Sequence, residues 1–254
     1  MEEWTNLKKS WFSIYNWKSL SNVGYSEKIA QILLDNFREI EISYEGLRKN
    51  NFRLASHHGQ CQLATHISQL VEKRFCRAVF NLKEIPLLGT MLDYEVPFKE
   101  VSASKHGDID LLTLKDDKLF VVEAKIVGSS ESILKAVLEA YVYSNLVKAS
   151  KEQFYADFNI NSDVKIAPVV LTFVDSASGR QLRELDKFPN VLRLISEVDN
   201  KLAEAGIDKL RFMLVTNSKT EMQNSIETRP FDSKCELLVF KDGFNLGLEE
   251  IILS

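Results

Sequence analysis

The sequence predicts an α/β fold, in which a mixed sheet is flanked by helices and preceded by an N-terminal helical extension. Apolar residues recur at helical spacing, then at alternating positions in three successive segments, and then at helical spacing again before a long apolar strand. The 254 residues include ten glycines and five prolines, and 45% are hydrophobic, which is typical of a globular chain. A chain of this length buries a core without disulfides or structural metals.

The helix predicted over residues 26–50 belongs to the N-terminal extension, residues 1–58. Its apolar residues follow helical spacing and are Ile29, Ile32, Leu33, Phe37 and Ile40. A second helix, over about residues 62–80, begins the main domain of residues 59–254 and carries one apolar face. No repeat, low-complexity tract or Gly/Ser linker separates the two parts, so a single compact unit is the simplest interpretation.

Three short strands are predicted next, over residues 93–100, 107–114 and 119–126. The second and third are joined by Lys115-Asp116-Asp117-Lys118, which we interpret as a hairpin turn. The remaining pattern predicts a helix, a strand, a helix and two strands, over residues 130–149, 165–173, 178–205, 210–216 and 235–240. Helices before and after the three strands would cover both faces of the sheet.

The charge of the chain limits its partners. The 32 basic and 36 acidic residues give a formal net charge of -4, which excludes a surface that attracts nucleic acid over its whole extent. Residues 1–80 sum to +3 and residues 81–254 to -7. An anionic partner must therefore be met by a local basic patch, and the acidic surplus of the later part can hold a metal ion.

Neither membrane insertion nor a disulfide framework is predicted. No apolar run approaches the length of a membrane span, and the first residues lack the pattern of a signal peptide. Cys61, Cys76 and Cys235 are odd in number and widely spaced, which favours buried free thiols. We expect a cytoplasmic protein with no membrane partner.

The hairpin formed by the second and third strands carries the chemistry. If the turn is centred on Asp116-Asp117, directly opposed residues have numbers that sum to 233, so Asp110 faces Glu123 and Asp108 faces Lys125. Because side chains alternate along a strand, these four share one face of the sheet. The other face is predicted to be apolar and to hold Ile109, Leu111, Phe120, Val122 and Ala124.

Two facing carboxylates favour a metal site. Like charges at directly opposed positions lie about 5 Å apart and destabilise a sheet, unless a cation compensates them. Mg²⁺ suits Asp110 and Glu123, because it usually takes one or two carboxylates and completes its shell with water and phosphate oxygens. The alternative interpretation is a solvated polar face with an ion pair between Asp108 and Lys125.

The motif resembles that of the PD-(D/E)XK nuclease superfamily, which has the restriction-endonuclease-like fold. Asp110 is followed, thirteen residues later, by Glu123-Ala124-Lys125 at the end of a strand, and the order helix, three-strand meander, helix, strand over about residues 60–175 is similar to that core. The sequence Gly107-Asp108-Ile109-Asp110 resembles a variant seen in resolvase-like members. Asp110 is the preferred ligand because it opposes Glu123, and Asp108 is the second choice.

The resemblance implies a role for each of these residues. Asp110 and Glu123 would bind Mg²⁺, for which Mn²⁺ could substitute, and Lys125 would orient or deprotonate the attacking water. Many members add a glutamate from the helix before the meander, for which Glu72 is the candidate. Some members carry Gln-x-x-x-Tyr on the helix after the lysine, and here Glu139-Ala140-Tyr141-Val142-Tyr143 departs from it at the first position.

These implications predict a metal-dependent phosphodiesterase, most simply a DNA endonuclease, with DNA favoured over RNA and a homodimer left open. Lys73, Arg74, Arg77 and Arg53 are expected to contact phosphates, although the first three could equally form a solvated helix face. The first alternative function is a catalytically inactive nucleic-acid-binding or assembly subunit. A nucleotide-binding α/β protein is the second, and the absence of a Gly-rich phosphate loop from the sequence counts against it.

Overall fold

The computed structural model describes Trp11, Ile14 and residues 18–57, 71–99, 107–126, 129–232 and 235–253. Their architecture is α/β, as predicted, with one seven-stranded mixed sheet flanked by helices and a separate two-stranded sheet. No helix among the described residues is long and apolar enough to cross a membrane.

The large sheet has the strand order β1-β2-β3-β4-β5-β6-β9, and β7 pairs with β8. The strands are β1 (Glu84–Ile85), β2 (Gly89–Pro97), β3 (Asp108–Lys115), β4 (Lys118–Lys125), β5 (Lys165–Phe173), β6 (Arg211–Val215), β7 (Ile226–Asp232), β8 (Cys235–Phe240) and β9 (Leu248–Ile251). Strands β1 to β4 are antiparallel, β4, β5 and β6 are parallel, and β9 is antiparallel to β6. The three predicted strands therefore form an antiparallel meander, and the apolar strand β5 lies beside its last member.

The described α-helices are α1 (Ser26–Asn36), α2 (Val71–Leu82), α3 (Ile133–Ala149), α4 (Lys151–Phe158), α5 (Ala177–Arg183), α6 (Pro189–Glu204) and α7 (Lys219–Ser225). Short 3₁₀ turns occur at Lys18–Ser21, Val23–Tyr25, Phe37–Glu39, Ala55–His57 and Leu185–Lys187. Helices α1, α3, α4 and α6 pack on one face of the large sheet, whereas α2 and the β7–β8 hairpin pack on the other. Each face therefore has its own apolar cluster.

The N-terminal segment contributes directly to the cluster around α3. Leu20, Ile29 and Phe52 are buried there together with α3 and α6, and Glu27 accepts hydrogen bonds from Asn190 N and Val191 N at the start of α6. This carboxylate satisfies backbone donors that a helix N-terminus leaves unpaired. The boundary at residue 58 stays a prediction, since residues 58–70 lie outside the described part.

Two predicted helices differ in the structure. The helix predicted over residues 26–50 ends at Asn36, and after a 3₁₀ turn Ile40 has extended backbone angles. The helix predicted over residues 178–205 is divided because Pro189 has no amide proton to donate and therefore begins a new helix, α6. Of the helix predicted over residues 62–80, only the part from Val71 is described.

Candidate active site

The β3–β4 hairpin has the predicted register. Its paired residues run from Lys115 and Lys118 to Leu111 and Val122, and the numbers of each pair sum to 233. Asp116 adopts a left-handed φ of 53° in the turn, a conformation that aspartate tolerates better than most residues. The local sequence thus determines which residues reach the carboxyl end of β4.

The backbone pairing of β3 with β4 ends at Leu111 and Val122. Beyond them, the side chain of Asp110 makes the next contact with β4. Asp110 Oδ2 accepts a hydrogen bond from Ala124 N at 2.7 Å, so the Asp110 carboxylate lies against β4 beside Glu123. The prediction that Ile109 lies on the face of Leu111 is wrong: Ile109 and its register partner Val96 belong to the cluster around α3. Strand β2 bends at Glu95, where φ is 45°, and this turns the pair toward the other face.

Lys125 is buried and is surrounded by three carboxylates. Its Nζ lies 2.6 Å from Glu123 Oε1, 2.7 Å from Glu139 Oε2 and 3.2 Å from Glu131 Oε2. An ammonium group has three N–H donors, so each donor has a carboxylate within reach. Thr172, the register partner of Lys125 on β5, donates from Oγ1 to the Lys125 carbonyl at 3.4 Å and helps to fix the backbone.

A second lysine lies at the outer side of these carboxylates. Lys135 Nζ forms an ion pair with Glu131 Oε1 and lies 3.9 Å from Glu139 Oε1. We call the whole group the β4 cluster; it comprises Glu72, Asp110, Glu123, Lys125, Glu131, Lys135 and Glu139. With five carboxylates and two lysines, the β4 cluster has a deficit of positive charge.

Burial, followed by the charge of neighbouring carboxylates, raises the pKa of both candidate metal ligands. Burial raises the pKa of Asp110 well above its usual value, and the negative charge of Glu72 adds to the effect. Burial likewise raises the pKa of Glu123, with a further contribution from Asp110. Each carboxyl group therefore holds its proton to higher pH than an isolated one would.

For Lys125 and Glu131, in contrast, neighbouring charges together have a larger effect on the pKa than burial has. Burial alone would lower the pKa of Lys125, but Glu123 and Glu139 outweigh it and the pKa is raised. Burial would raise the pKa of Glu131, but Lys125 and Lys135 outweigh it and the pKa is lowered. Lys125 is thus held as the cation and Glu131 as the anion.

Glu72 reaches the same site from the first turn of α2. Burial raises its pKa, and Lys125 partly offsets this effect. Cys76, one turn further along α2, is a free and buried thiol, as predicted, and its pKa is raised by burial and then by the charge of Asp110. The structure therefore brings together Glu72, Asp110, Glu123 and Lys125, all four predicted catalytic residues.

Asp108 lies apart from this group. Its Oδ1 is 3.9 Å from Lys99 Nζ, so the ion pair between Asp108 and Lys125 considered from the sequence is wrong. The reason is that the pairing of β3 with β4 ends at Leu111 and Val122, before it reaches Asp108, while α3 supplies Lys125 with Glu139 at 2.7 Å. The role of Asp108 as a second metal ligand stays a prediction.

The predicted phosphate-contacting residues have partners of their own. Lys73 Nζ and Arg77 Nη2 lie 3.6 and 3.9 Å from the carboxylate of Glu95. Arg74 is partly buried on the same helix, and Arg53 is exposed near the end of the N-terminal segment. Glu95 neutralises part of the positive charge of α2, so contact with phosphate stays a prediction.

The contribution of α3 was not predicted from the sequence. Glu131, Lys135 and Glu139 are spaced four residues apart, which places them on one side of a helix that is otherwise mostly apolar. That stripe was the available signal. Tyr143, in contrast, is buried and stacks on Phe98 with ring centroids 5.8 Å apart. A Cβ at Gly107 would clash with the Tyr143 hydroxyl, which explains the glycine there.

The described residues contain no group of three or more His, Cys, Asp and Glu side chains placed to ligate one metal ion by themselves. No protein-family model, curated protein or solved structure matches this chain. The function is therefore inferred from the chemistry of the β4 cluster alone.

Proposed function

We propose that this protein is a Mg²⁺-dependent phosphodiester hydrolase that cleaves nucleic acid at the carboxyl end of β4. One observation carries the proposal: two carboxylates and a buried lysine meet there. Asp110 is fixed by the amide of Ala124 at 2.7 Å, and Lys125 is held by Glu123 at 2.6 Å. Clustered titratable groups with shifted pKa values are typical of catalytic sites.

The donor set fits a hard divalent cation. Asp110 and Glu123 would hold Mg²⁺ or Mn²⁺ through carboxylate oxygens, and Mg²⁺ is usually bound through one or two protein carboxylates. Burial and then the neighbouring carboxylates raise the pKa of both groups, and a bound cation would offset both effects. When bound, Mg²⁺ supplies Lewis acidity toward a phosphate oxygen and lowers the pKa of water.

The protein's own residues divide the remaining tasks. Because its pKa is raised, Lys125 stays protonated at neutral pH, so it orients water and stabilises negative charge on the phosphate rather than acting as a base. Glu72 has a raised pKa and is suited to accept a proton from the attacking water. Lys125 thus acts in the charge state that its surroundings impose, whereas Glu72 can accept a proton only above its raised pKa, in its deprotonated form.

The order of elements supports assigning the core to the restriction-endonuclease-like fold. Helix α2, the meander β2–β3–β4, helix α3 and strand β5 follow one another, and β5 is parallel to β4. Glu123 and Lys125 stand on β4 and Asp110 on β3, where the motif of that superfamily requires them. DNA is therefore the first substrate to test, with the basic residues of α2 as its approach.

The test is a cleavage assay on single-stranded, double-stranded and branched DNA and on RNA, with Mg²⁺, Mn²⁺ or EDTA. We expect cleavage of DNA that requires the metal and is lost in Glu123→Gln and in Lys125→Met. Glu250→Gln, which removes a carboxylate on β9 outside the β4 cluster, is the matched control and should cleave normally. Cleavage that persists in EDTA or in both site variants contradicts the proposal.

Binding of the metal has its own readout. Mg²⁺ at a hundred times its Kd should raise the free energy of unfolding by about 2.7 kcal/mol, and Asp110→Asn and Glu123→Gln should abolish this increase. DNA binding without cleavage under every condition would instead favour the inactive binding or assembly subunit.

A further inference from the structure

Glu131 is held between two lysines by separate oxygen atoms. Its Oε2 lies 3.2 Å from Lys125 Nζ, and its Oε1 forms the ion pair with Lys135 Nζ. Oε1 also accepts a weaker hydrogen bond from Ser21 Oγ at 3.4 Å. Two cations that each contact one oxygen of the same anion form an arrangement that suits the two non-bridging oxygens of a phosphodiester equally well.

The two lysines form a path from the interior to the rim of the site. The exposed fraction of the side chain rises from 4% for Lys125 to 19% for Lys135 and 25% for Glu131. Glu131 also directly precedes Ser132, the N-cap of the 17-residue helix α3. The positive end of the helix dipole therefore favours an anion at the same place.

Glu131 is the partner that Lys125 can release. Its contact with Lys125 is longer than those of Glu123 and Glu139, which are also more deeply buried. Glu131 lies in the irregular segment before α3, whereas the other two stand on a strand and a helix. Loss of Glu131 leaves Lys125 with two carboxylates, so no buried charge is stranded.

We propose that Lys125 and Lys135 together form a binding site for a phosphate group of the substrate, and that the carboxylate of Glu131 fills this site in the free protein. The inference rests on the proposed function in that it names the groups of the same site that bind the substrate. It adds Lys135 as a substrate-binding residue and Glu131 as a built-in competitor of the phosphate.

The test measures binding of a short fluorescein-labelled DNA by anisotropy in EDTA, where no metal-dependent cleavage interferes. Glu131→Gln should bind the DNA about tenfold more tightly, and Lys135→Gln about tenfold more weakly, as expected when one charge-assisted hydrogen bond to phosphate is formed or removed. Lys135→Gln should also reduce the slope of log Kd against log salt by about 1. Lys135→Arg keeps the charge and should retain binding.

Two controls distinguish a specific phosphate site from a general effect of net charge on DNA affinity. Glu184→Gln removes an exposed carboxylate that pairs with Lys187, and its affinity for DNA should stay unchanged. Inorganic phosphate is the second probe and should compete with the DNA more strongly in Glu131→Gln than in Lys135→Gln. If Glu131→Gln binds no more tightly than Glu184→Gln, or if Lys135→Gln binds as the wild type does, the inference is wrong.

The two proposals fail in different ways. The expected changes in Kd without any metal-dependent cleavage would contradict the proposed hydrolase and leave the lysine pair as a phosphate site. Metal-dependent cleavage with Kd values indifferent to Glu131 and Lys135 would contradict the lysine pair alone.

Discussion

Two groups of charged side chains on the same sheet are built on opposite principles. Between β6 and β9, Arg211 binds Glu250 through two parallel contacts of 2.7 Å, one cation to one anion, and the pKa of Glu250 is lowered mainly by these hydrogen bonds. In the β4 cluster, five carboxylates share two lysines, and the pKa values of Asp110 and Glu123 are raised. The first group is balanced, whereas the second has more carboxylates than cations, so its carboxyl groups hold their protons to higher pH.

Of the substitutions that test this comparison, removal of Lys125 should change the free energy of unfolding most. Lys125→Met leaves Glu123 and Glu139 buried without their common cation, so we expect a loss of about 3 kcal/mol in the free energy of unfolding at neutral pH. The loss should shrink in acid, where the carboxylates bind protons. Urea titrations of wild type and variant at several pH values measure it.

A second substitution controls for the lost side chain itself. Lys125→Met combined with Glu139→Gln removes one positive and one negative charge, and should recover part of the stability but none of the cleavage. Equal stability of the single and double variants would show that charge balance is not what Lys125 supplies.

Neutralising Asp110 should have a smaller effect of opposite sign. Because its pKa is raised in the folded protein, the stability linked to its proton is complete below the unfolded pKa of about 3.9 and is lost as pH rises through the folded pKa. Asp110→Asn avoids this loss, so it should stabilise the protein by about 1 kcal/mol above the folded pKa and by nothing near pH 3.9, while cleavage is abolished. A gain that does not vary with pH, in the same urea series, would contradict this explanation.

The balanced pair should give the smallest effect. Since the pKa of Glu250 is lowered, its contribution is complete above the unfolded value of about 4.3 and is lost as pH falls through the folded pKa. Glu250→Gln should therefore cost about 0.5 kcal/mol at neutral pH, less in high salt, and leave cleavage unchanged. Reduced cleavage in this variant would mean that β9 influences the site.

The sequence was most informative where two local signals agreed. The turn at Asp116 and the alternation on both strands specify the register of β3 and β4 as far as Leu111 and Val122. Asp110 and Glu123 are the next residues, so the register brings them to the same end of the hairpin, although they are not themselves a paired position. The division of the helix predicted over residues 178–205 could also have been predicted locally, because a proline ends a helix that precedes it.

The partners of Lys125 on and before α3 could not be predicted from local sequence patterns. Helix α3 is buried on nearly every side, so its apolar residues do not indicate which side meets the sheet. The position of Glu131 and Glu139 depends on how α3 packs across β4 and β5, and also on Leu20 and its neighbours in the N-terminal segment. Such contacts join residues more than a hundred positions apart.

The hydrogen bond between Asp110 and the Ala124 amide gives the two candidate ligands unequal freedom. Asp110 is short, and any displacement of its carboxylate breaks a bond to the backbone of the neighbouring strand. Glu123 has one more methylene, and its carboxylate is held by the side chain of Lys125 rather than by the backbone. Asp110 is thus tied to the backbone and Glu123 only to a side chain. We therefore expect the site to accommodate cations of different radius by movement of Glu123 rather than of Asp110.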